Sequence, residues 1–377
     1  MRAWYRTAAA AAALLMAATA APAAARADQS EWVTPTCTTV GSDGTLSYTR
    51  TQGHEIAGSE GATTRTEYQS GLVALAEPNH LLAVDDRGRL SLSRDAGCSW
   101  VVFGTLGRYT RWPQLAAAPD GSAYVWSLDG DLFAVHGTQV EELPVVSGST
   151  GLVDLAVDHA DADHVRAVAE DGRVLDSTDG GRSFRQVGTA AIPAGGLHTL
   201  YDAAIDPADL DHVVAGASEL GAFVTTDGAR TWTHASGLGR DTDRVNAFSV
   251  AISPVSGSTV YVQGLDLTEG DANGTDTARH IYASTDGGRH FRVAVTQQGE
   301  VTLANGTLLV PSASDPSVLY FVWGTSFAGI GTYLYRYDAQ SGLVTWTRNE
   351  HDDIDSIAFN PRYRDVMYLG MAEERIF

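Results

Sequence analysis

Lysine is missing altogether from this 377-residue chain: all 25 basic residues are arginine. Against them stand 46 acidic residues, giving a formal net charge of −21. So acidic a surface excludes the phosphate backbone of nucleic acid and anionic lipid as partners. Cysteine is nearly absent, with two residues, Cys37 and Cys98, which rules out a disulfide-framework miniprotein and a multi-cysteine zinc site. Neither a Gly-x-Ser-x-Gly nor a His-Glu-x-x-His pattern occurs. The 11 histidines are scattered, without a close pair at metal-ligand spacing. Beyond the N-terminus there is no apolar run long enough to cross a membrane.

The N-terminus itself reads as an export signal. Arg2 and Arg6 form a basic start, Ala8 to Ala21 an apolar stretch, and Ala25-Arg26-Ala27 a cleavage site ahead of Asp28. Removal of residues 1–27 takes away three arginines and no acid, moving the net charge from −21 to −24. The mature chain, 28–377, is expected outside the cell as a monomer. In that oxidising setting two lone cysteines favour a Cys37–Cys98 disulfide.

What the chain does have is glycine, 39 residues of it, and a repeat. Ser93-Arg94-Asp95-Ala96-Gly97-Cys98-Ser99-Trp100 returns as Ser177 to Phe184, Thr225 to Trp232 and Ser284 to Phe291, in the form Ser/Thr-x-Asp-x-Gly-x-x-aromatic, with Ala229 once in place of the glycine. Weaker echoes at Val135 to Val140 and Asp338 to Trp346 bring the spacing to about 42 to 59 residues, the range of propeller blades. Around each copy lie short segments rich in β-branched residues, separated by Asp/Gly turns. The frame fits 72–103, 114–144, 152–187, 201–235, 246–295 and 303–348, leaving a three-strand remnant over 354–377. Glu31-Trp32-Val33-Thr34 resembles the fourth strands and would complete the remnant, removing an open edge. The prediction is an all-β, single seven-bladed β-propeller whose last blade is closed by the N-terminal strand, with insertions at about 38–70 and 265–279.

These repeats resemble the Asp-box, or BNR-repeat, propellers of the WD40/YVTN-like class, which include sialidases, sortilin-type receptors, a photosystem assembly factor and xyloglucanases. The resemblance implies the fold and leaves function open, since the class spans enzymes and binding proteins. Sialidases carry an Arg-Ile-Pro element that is absent here. Xyloglucanases use a cleft between two propellers, whereas this chain builds one. The repeated Asp95, Asp179, Asp227 and Asp286 read as turn chemistry and not as a site.

Function in such a ring collects on the loops between second and third strands and between blades. Those loops are acidic and place Asp85, Asp86, Asp129, Glu170 and Glu373 among the ligand-binding candidates, with His198 on a blade connection and Trp323 and Phe327 in a Gly-rich loop able to hold a sugar ring or a partner. Should the chain cleave carbohydrate, Glu219 with Asp171 or Asp202 would supply the carboxylates. Asp266, Asp271, Asn273 and Asp276 alternate around glycines as calcium loops do, and also fit a solvated acidic loop; no cofactor is expected unless calcium binds there. A narrower resemblance in export, size and repeat type is to secreted actinobacterial propellers that act on a protease and serve as transglutaminase substrates. Gln297 and Gln298 would then be acyl donors. The resulting expectation is a secreted non-catalytic propeller that binds an extracellular protein or polysaccharide through its loop face; the alternative is a glycoside hydrolase or lyase using the acids of that face.

Overall fold

The computed structural model describes residues 45–50, 70–85, 87–97, 99–107, 113–144, 151–193, 198–239, 244–324, 332–349 and 352–373. Contacts divide the chain into Met1–Glu31, outside the described residues, and the compact unit Trp32–Phe377. Residues 1–27, read from the sequence as an export signal, and Glu31-Trp32-Val33-Thr34, Cys37, Asp86, Cys98 and Phe327 all lie outside the described residues.

The described part is nearly all β. Strand β1 (Thr45–Arg50) precedes a four-stranded sheet of β2 (Ser70–Ala74), β3 (Leu81–Asp85), β4 (Arg89–Ser93) and β5 (Val101–Thr105). The second sheet holds β6 (Gln114–Ala117), β7 (Ala123–Trp126), β8 (Leu132–His136) and β9 (Gln139–Glu142). The third holds β10 (Leu152–Asp158), β11 (Asp161–Ala169), β12 (Val174–Ser177) and β13 (Arg185–Val187). The fourth holds β14 (Leu200–Asp206), β15 (Asp209–Ala217), β16 (Gly221–Thr225) and β17 (Thr233–His234). In the fifth, β18 (Val245–Ser253) and β19 (Ser256–Asp266) are followed by helix α1 (Leu267–Asn273), then β20 (Arg279–Ser284) and β21 (Arg292–Thr296). The sixth comprises β22 (Leu309–Pro311), β23 (Val318–Gly324), β24 (Thr332–Asp338) and β25 (Leu343–Asn349). The last sheet has three strands in the order β1, β27 (Val366–Glu373), β26 (Asp352–Phe359), all pairings antiparallel.

One expectation changes here. The strand that pairs with β27 from the N-terminal side is Thr45–Arg50, with Tyr48 opposite Tyr368 and Arg50 opposite Val366, within the stretch read as an insertion. It occupies the side of β27 that β26 leaves open. Main-chain pairing at an edge asks little of side-chain hydrophobicity, so a Thr/Ser-rich segment suffices.

The first strands pack in series, β2 on β6, β6 on β10, β10 on β14, β14 on β18 and β18 on β22, while β26 packs against β2. An apolar cluster fills each interval between neighbouring sheets. Leu82, Val84 and Val125 join the first and second. Phe321, Tyr335 and Tyr261 join the fifth and sixth, and Tyr368, Val366 and Leu81 join the last to the first. Burying apolar area between sheets in this way is the dominant stabilising contribution.

The recurrent turns repeat one hydrogen-bond pattern. Ser177 Oγ donates to Asp179 Oδ1 (2.8 Å), Ser183 N donates to Oδ1 (2.8 Å), Ser183 Oγ donates to Oδ2 (2.5 Å), and Gly181 N donates to Ser177 Oγ (2.9 Å). Asp95, Asp227 and Asp286 take the same set from Ser93 and Ser99, Thr225 and Thr231, and Ser284 and His290. The Ser183 bonds hold the Asp179 carboxyl at about 2, and the Thr231 bonds hold Asp227 there too. Each turn also bonds back to the first hairpin of its own sheet, as Gly180 N does to Asp163 O (2.9 Å), which fixes it at that end of the strands. Ala229 stands where the other turns have glycine and takes φ of 64°, a left-handed value that disfavours a Cβ. The terminal aromatics Phe184, Trp232 and Trp100 pack into the clusters between their own sheet and the one before it.

Buried ionic contacts tie the third sheet to the fourth. Arg166 donates to Asp176 Oδ1 (2.8 Å) within its sheet and to Leu210 O (2.6 Å) and Asp211 Oδ1 (2.8 Å) in the next. Tyr124 and Tyr261, at the same strand position, donate to Ala162 O and Pro316 O of their following sheets.

Candidate functional site

The opposite end of the strands carries the loops between second and third strands. In the third and fourth sheets these loops and the neighbouring inner strands are knitted together. Glu170 O accepts from Leu200 N (3.1 Å), Thr199 O accepts from Ser218 N (3.0 Å), and Asn246 Oδ1 accepts from Glu219 N (2.8 Å). His198 Nδ1 lies 3.0 Å from Ser218 O. With a carbonyl as partner, that nitrogen carries the hydrogen. Glu219 adopts a left-handed φ of 61°, strained for a residue with a Cβ, at the tip of its loop.

At this end the first strands bulge. The register slips between Leu152 and Asp154 in β10, between Leu200 and Asp202 in β14, and between Ala247 and Ser249 in β18, leaving Val153, Tyr201 and Phe248 as the extra residues. A bulge re-aims the side chains around it. Asp154 Oδ2 accepts from Ile205 N (2.8 Å), and Asp202 Oδ2 accepts from Val250 N (2.8 Å), so each carboxyl reaches the inner strand of the next sheet. Asp202 Oδ1 also accepts from Ala203 N (2.9 Å).

Burial pushes the Asp154 carboxyl up to about 7, against the N–H groups of Ile205 and Leu155, which favour ionisation. Burial also raises Asp202 well above the ordinary range; the neighbouring charge of Asp154 adds to this, and the Val250 and Ala203 N–H groups oppose it. Both residues keep a partly exposed surface, so water screens some of that cost. The Tyr201 ring, 40% exposed, lies with its centroid 4.7 Å from that of Phe248 at an interplanar angle of 37°.

Of the residues singled out from the sequence, Glu170, Asp171, His198, Asp202 and Glu219 come together at this end of the third to fifth sheets. Asp171 is committed to Arg173, whose Nε lies 2.7 Å from Oδ2. Asp85 is 1% exposed and lies inside its own turn, accepting from Arg89 N (2.7 Å) and Arg89 Nε (2.5 Å). Asp129 is exposed, and its N–H bonds to Ser127 Oγ (3.2 Å). Glu373 ends β27 opposite Asp352. Trp323 sits on β23 beside Tyr333, at 5.6 Å between centroids, in the sixth sheet.

Asp266, Asp271, Asn273 and Asp276 do not converge. Asp266 caps helix α1 by accepting from Glu269 N (3.0 Å), Asp271 pairs with Arg244 (2.9 Å), Asp276 lies 3.8 Å from Arg279, and Asn273 closes the helix. No cluster of three or more His, Cys, Asp or Glu able to hold a metal occurs among the described residues. Gln297 Oε1 accepts from Leu303 N (3.0 Å), and Gln298 exchanges main-chain bonds with Val301.

Sequence reasoning passed over Asp154 and Tyr201. The signal was available: Leu152-Val153-Asp154-Leu155-Ala156-Val157 and Leu200-Tyr201-Asp202-Ala203-Ala204-Ile205 align, each with an acid inside an apolar strand. An ionisable group in that setting demands a partner.

Comparison with known proteins adds the lineage. The chain is 46% identical over 357 residues to the dispase autolysis-inducing protein of Streptomyces mobaraensis, covering 94% of each chain. It belongs to the family of that protein. No family model matches the chain. Among solved structures, a GH74 xyloglucanase from Xanthomonas campestris aligns with a TM-score of 0.57 at 14% identity, over 86% of this chain and 52% of that one. YCF48 bound to a D1 peptide aligns at 0.56 and 12% identity, over 82% and 92%. YCF48 from Cyanidioschyzon merolae aligns at 0.52 and 13%, over 81% and 96%. The chain thus spans about half the length of this GH74 enzyme and nearly all of either YCF48. At such identities the likeness is one of fold, that of propeller-type proteins.

Proposed function

We propose that this chain is an exported, non-catalytic protein that binds an extracellular protein through its loop face and promotes autolysis of a protease, as the name of its Streptomyces relative implies. Its fold is read as a closed seven-bladed ring with Asp-box turns, in which an N-terminal strand completes the last blade. The observation that carries the function is the 46% identity over 94% of both chains. The chemistry of the loop face supports a binding role. Hydrolysis would need two carboxyls free to act across a gap, but Asp171 is taken by Arg173.

The test is to incubate residues 28–377 with dispase and follow full-length protease on gels while measuring casein hydrolysis. Intact dispase is expected to disappear faster in proportion to added chain, while the chain alone cleaves neither casein nor polysaccharide. An unchanged dispase lifetime at molar excess overturns the proposal. Release of reducing ends from a polysaccharide panel, abolished by Glu219→Gln, would establish the hydrolase instead.

A further inference from the structure

Six large hydrophobic side chains are exposed among the described residues. Five of them, Val101, Val102, Val293, Leu343 and Trp346, lie on the outermost strands β5, β21 and β25. Tyr201 alone lies on a first strand, β14. Scattered apolar residues on outer edges are ordinary. An exposed tyrosine set against a half-buried phenylalanine on the inner strands, each at a bulge, is not. Asp202 adjoins Tyr201 in sequence and bonds to Val250, two residues beyond Phe248, and the charges of Asp154 and Asp202 act on each other. Among the described residues no cationic side chain pairs with either carboxyl. Of the described arginines in the adjoining loops, Arg173 pairs with Asp171 (2.7 Å) and Arg244 with Asp271 (2.9 Å). Lysine is absent from the chain. Among the described residues, then, the chain's own side chains supply these carboxyls with no complementary charge.

We propose that Tyr201 and Phe248 form a docking ledge for an arginine or lysine side chain carried on an extended segment of the partner protein, with its cationic head directed at Asp154 and Asp202. An aromatic face attracts a cation through its quadrupole, and a carboxylate adds a charge-assisted hydrogen bond. The apolar stem of the incoming side chain covers the rings while its head stays with the acids. The proposal deepens the protein-binding reading of the loop face and rests on it for the identity of the partner.

Two measurements separate that reading from the ledge. Binding of immobilised dispase is measured for the wild type, Tyr201→Ala, Phe248→Leu, Asp202→Asn and the outer-edge control Trp346→Ala, with melting curves confirming that each variant folds. Titration with acetyl-Arg-Ala-Arg-amide is compared with its citrulline counterpart, which keeps the shape and loses the charge. The expected result is at least tenfold weaker dispase binding for Tyr201→Ala and Asp202→Asn, with Trp346→Ala within twofold. The arginine peptide should bind at least tenfold better than the citrulline peptide to the wild type, and the preference should vanish in Tyr201→Ala. Equal peptide affinities, or dispase binding untouched by Tyr201→Ala, overturn the ledge. Discrimination between the peptides without any dispase binding sustains the ledge and removes the protease as the partner.

Discussion

Replacing Asp154 by asparagine tests the electrostatics of the inner strands. The amide oxygen of Asp154→Asn can still accept the Ile205 N–H, now 2.8 Å from Oδ2, while the charge is removed. Burial lifts the native carboxyl from 3.8 to about 7. A carboxyl raised in this way stabilises the folded state below its unfolded value, and that contribution is lost as pH rises through about 7. At pH 8 the native protein therefore carries the full cost of an ionised Asp154. A tenfold change in proton affinity is worth about 1.4 kcal/mol, so the rise to about 7 sets an unscreened ceiling of about 4 kcal/mol. Partial exposure and a new amide NH2 in need of partners reduce the expected gain to about 1–2 kcal/mol. That corresponds to a rise in Tm of about 1–3 °C for a unit of this size. Differential scanning calorimetry of Asp154→Asn should show this gain at pH 8 and near-coincident curves at pH 4. Because the Asp154 charge also acts on Asp202, the double variant with Asp202→Asn should gain less than the two single variants summed. A variant that melts at or below the native protein at pH 8, or one displaced equally at both pH values, would refute the reasoning.

The turn aspartates should behave with the opposite sign. Asp179 is held at about 2, so its contribution is present above the unfolded value near 3.8 and fades as pH falls towards 2; Asp179→Asn should flatten the acid limb of a pH–Tm profile. Arg166→Met leaves Asp176, 2% exposed, without its main buried partner and should cost about 3–5 kcal/mol in urea unfolding. Adding Asp176→Asn should recover part of that loss. Truncation before Thr45 leaves β1 in place, whereas truncation after Arg50 bares the edge of β27; only the second should lower Tm sharply and bring aggregation detectable by light scattering. Calcium at millimolar concentration should leave Tm unchanged, because Asp266, Asp271 and Asp276 serve a helix cap and two arginines instead of one centre.

The parts of the fold that could be read from sequence are those where a local pattern has a local consequence. Ser177, Asp179, Gly181 and Ser183 are seven residues from end to end, and their mutual hydrogen bonds need nothing from elsewhere, so the turn announces itself wherever the pattern recurs. Short apolar, β-branched segments bounded by Asp/Gly turns likewise locate strands such as Leu152–Asp158. The strand beside β27 is a different matter. Its choice depends on which distant backbone reaches an open edge, and Thr45–Arg50 carries no stronger apolar signature than the residues around it. Site legibility divides along the same line. Glu170, His198 and Glu219 could be placed on one end of the strands because loop order follows strand order. Whether an acid there is available depends on neighbours, and Arg89 removes Asp85 from consideration just as Arg173 engages Asp171.

Aspartate does two jobs in this chain, and geometry decides which. In the recurrent turns the carboxylate meets N–H and O–H donors supplied by its own hairpin, near solvent, and ionisation is favoured. On the inner strands the donors come from the next sheet, the surroundings are protein, and ionisation is disfavoured. The first arrangement secures one end of the first, third, fourth and fifth sheets. The second spends stability at the other end, which apolar clusters between all neighbouring sheets can sustain. A carboxyl kept reluctant to ionise gains most from an incoming cation, since pairing relieves the cost that burial imposed. This is why Asp154 and Asp202, near an exposed tyrosine, are where a basic partner segment should dock.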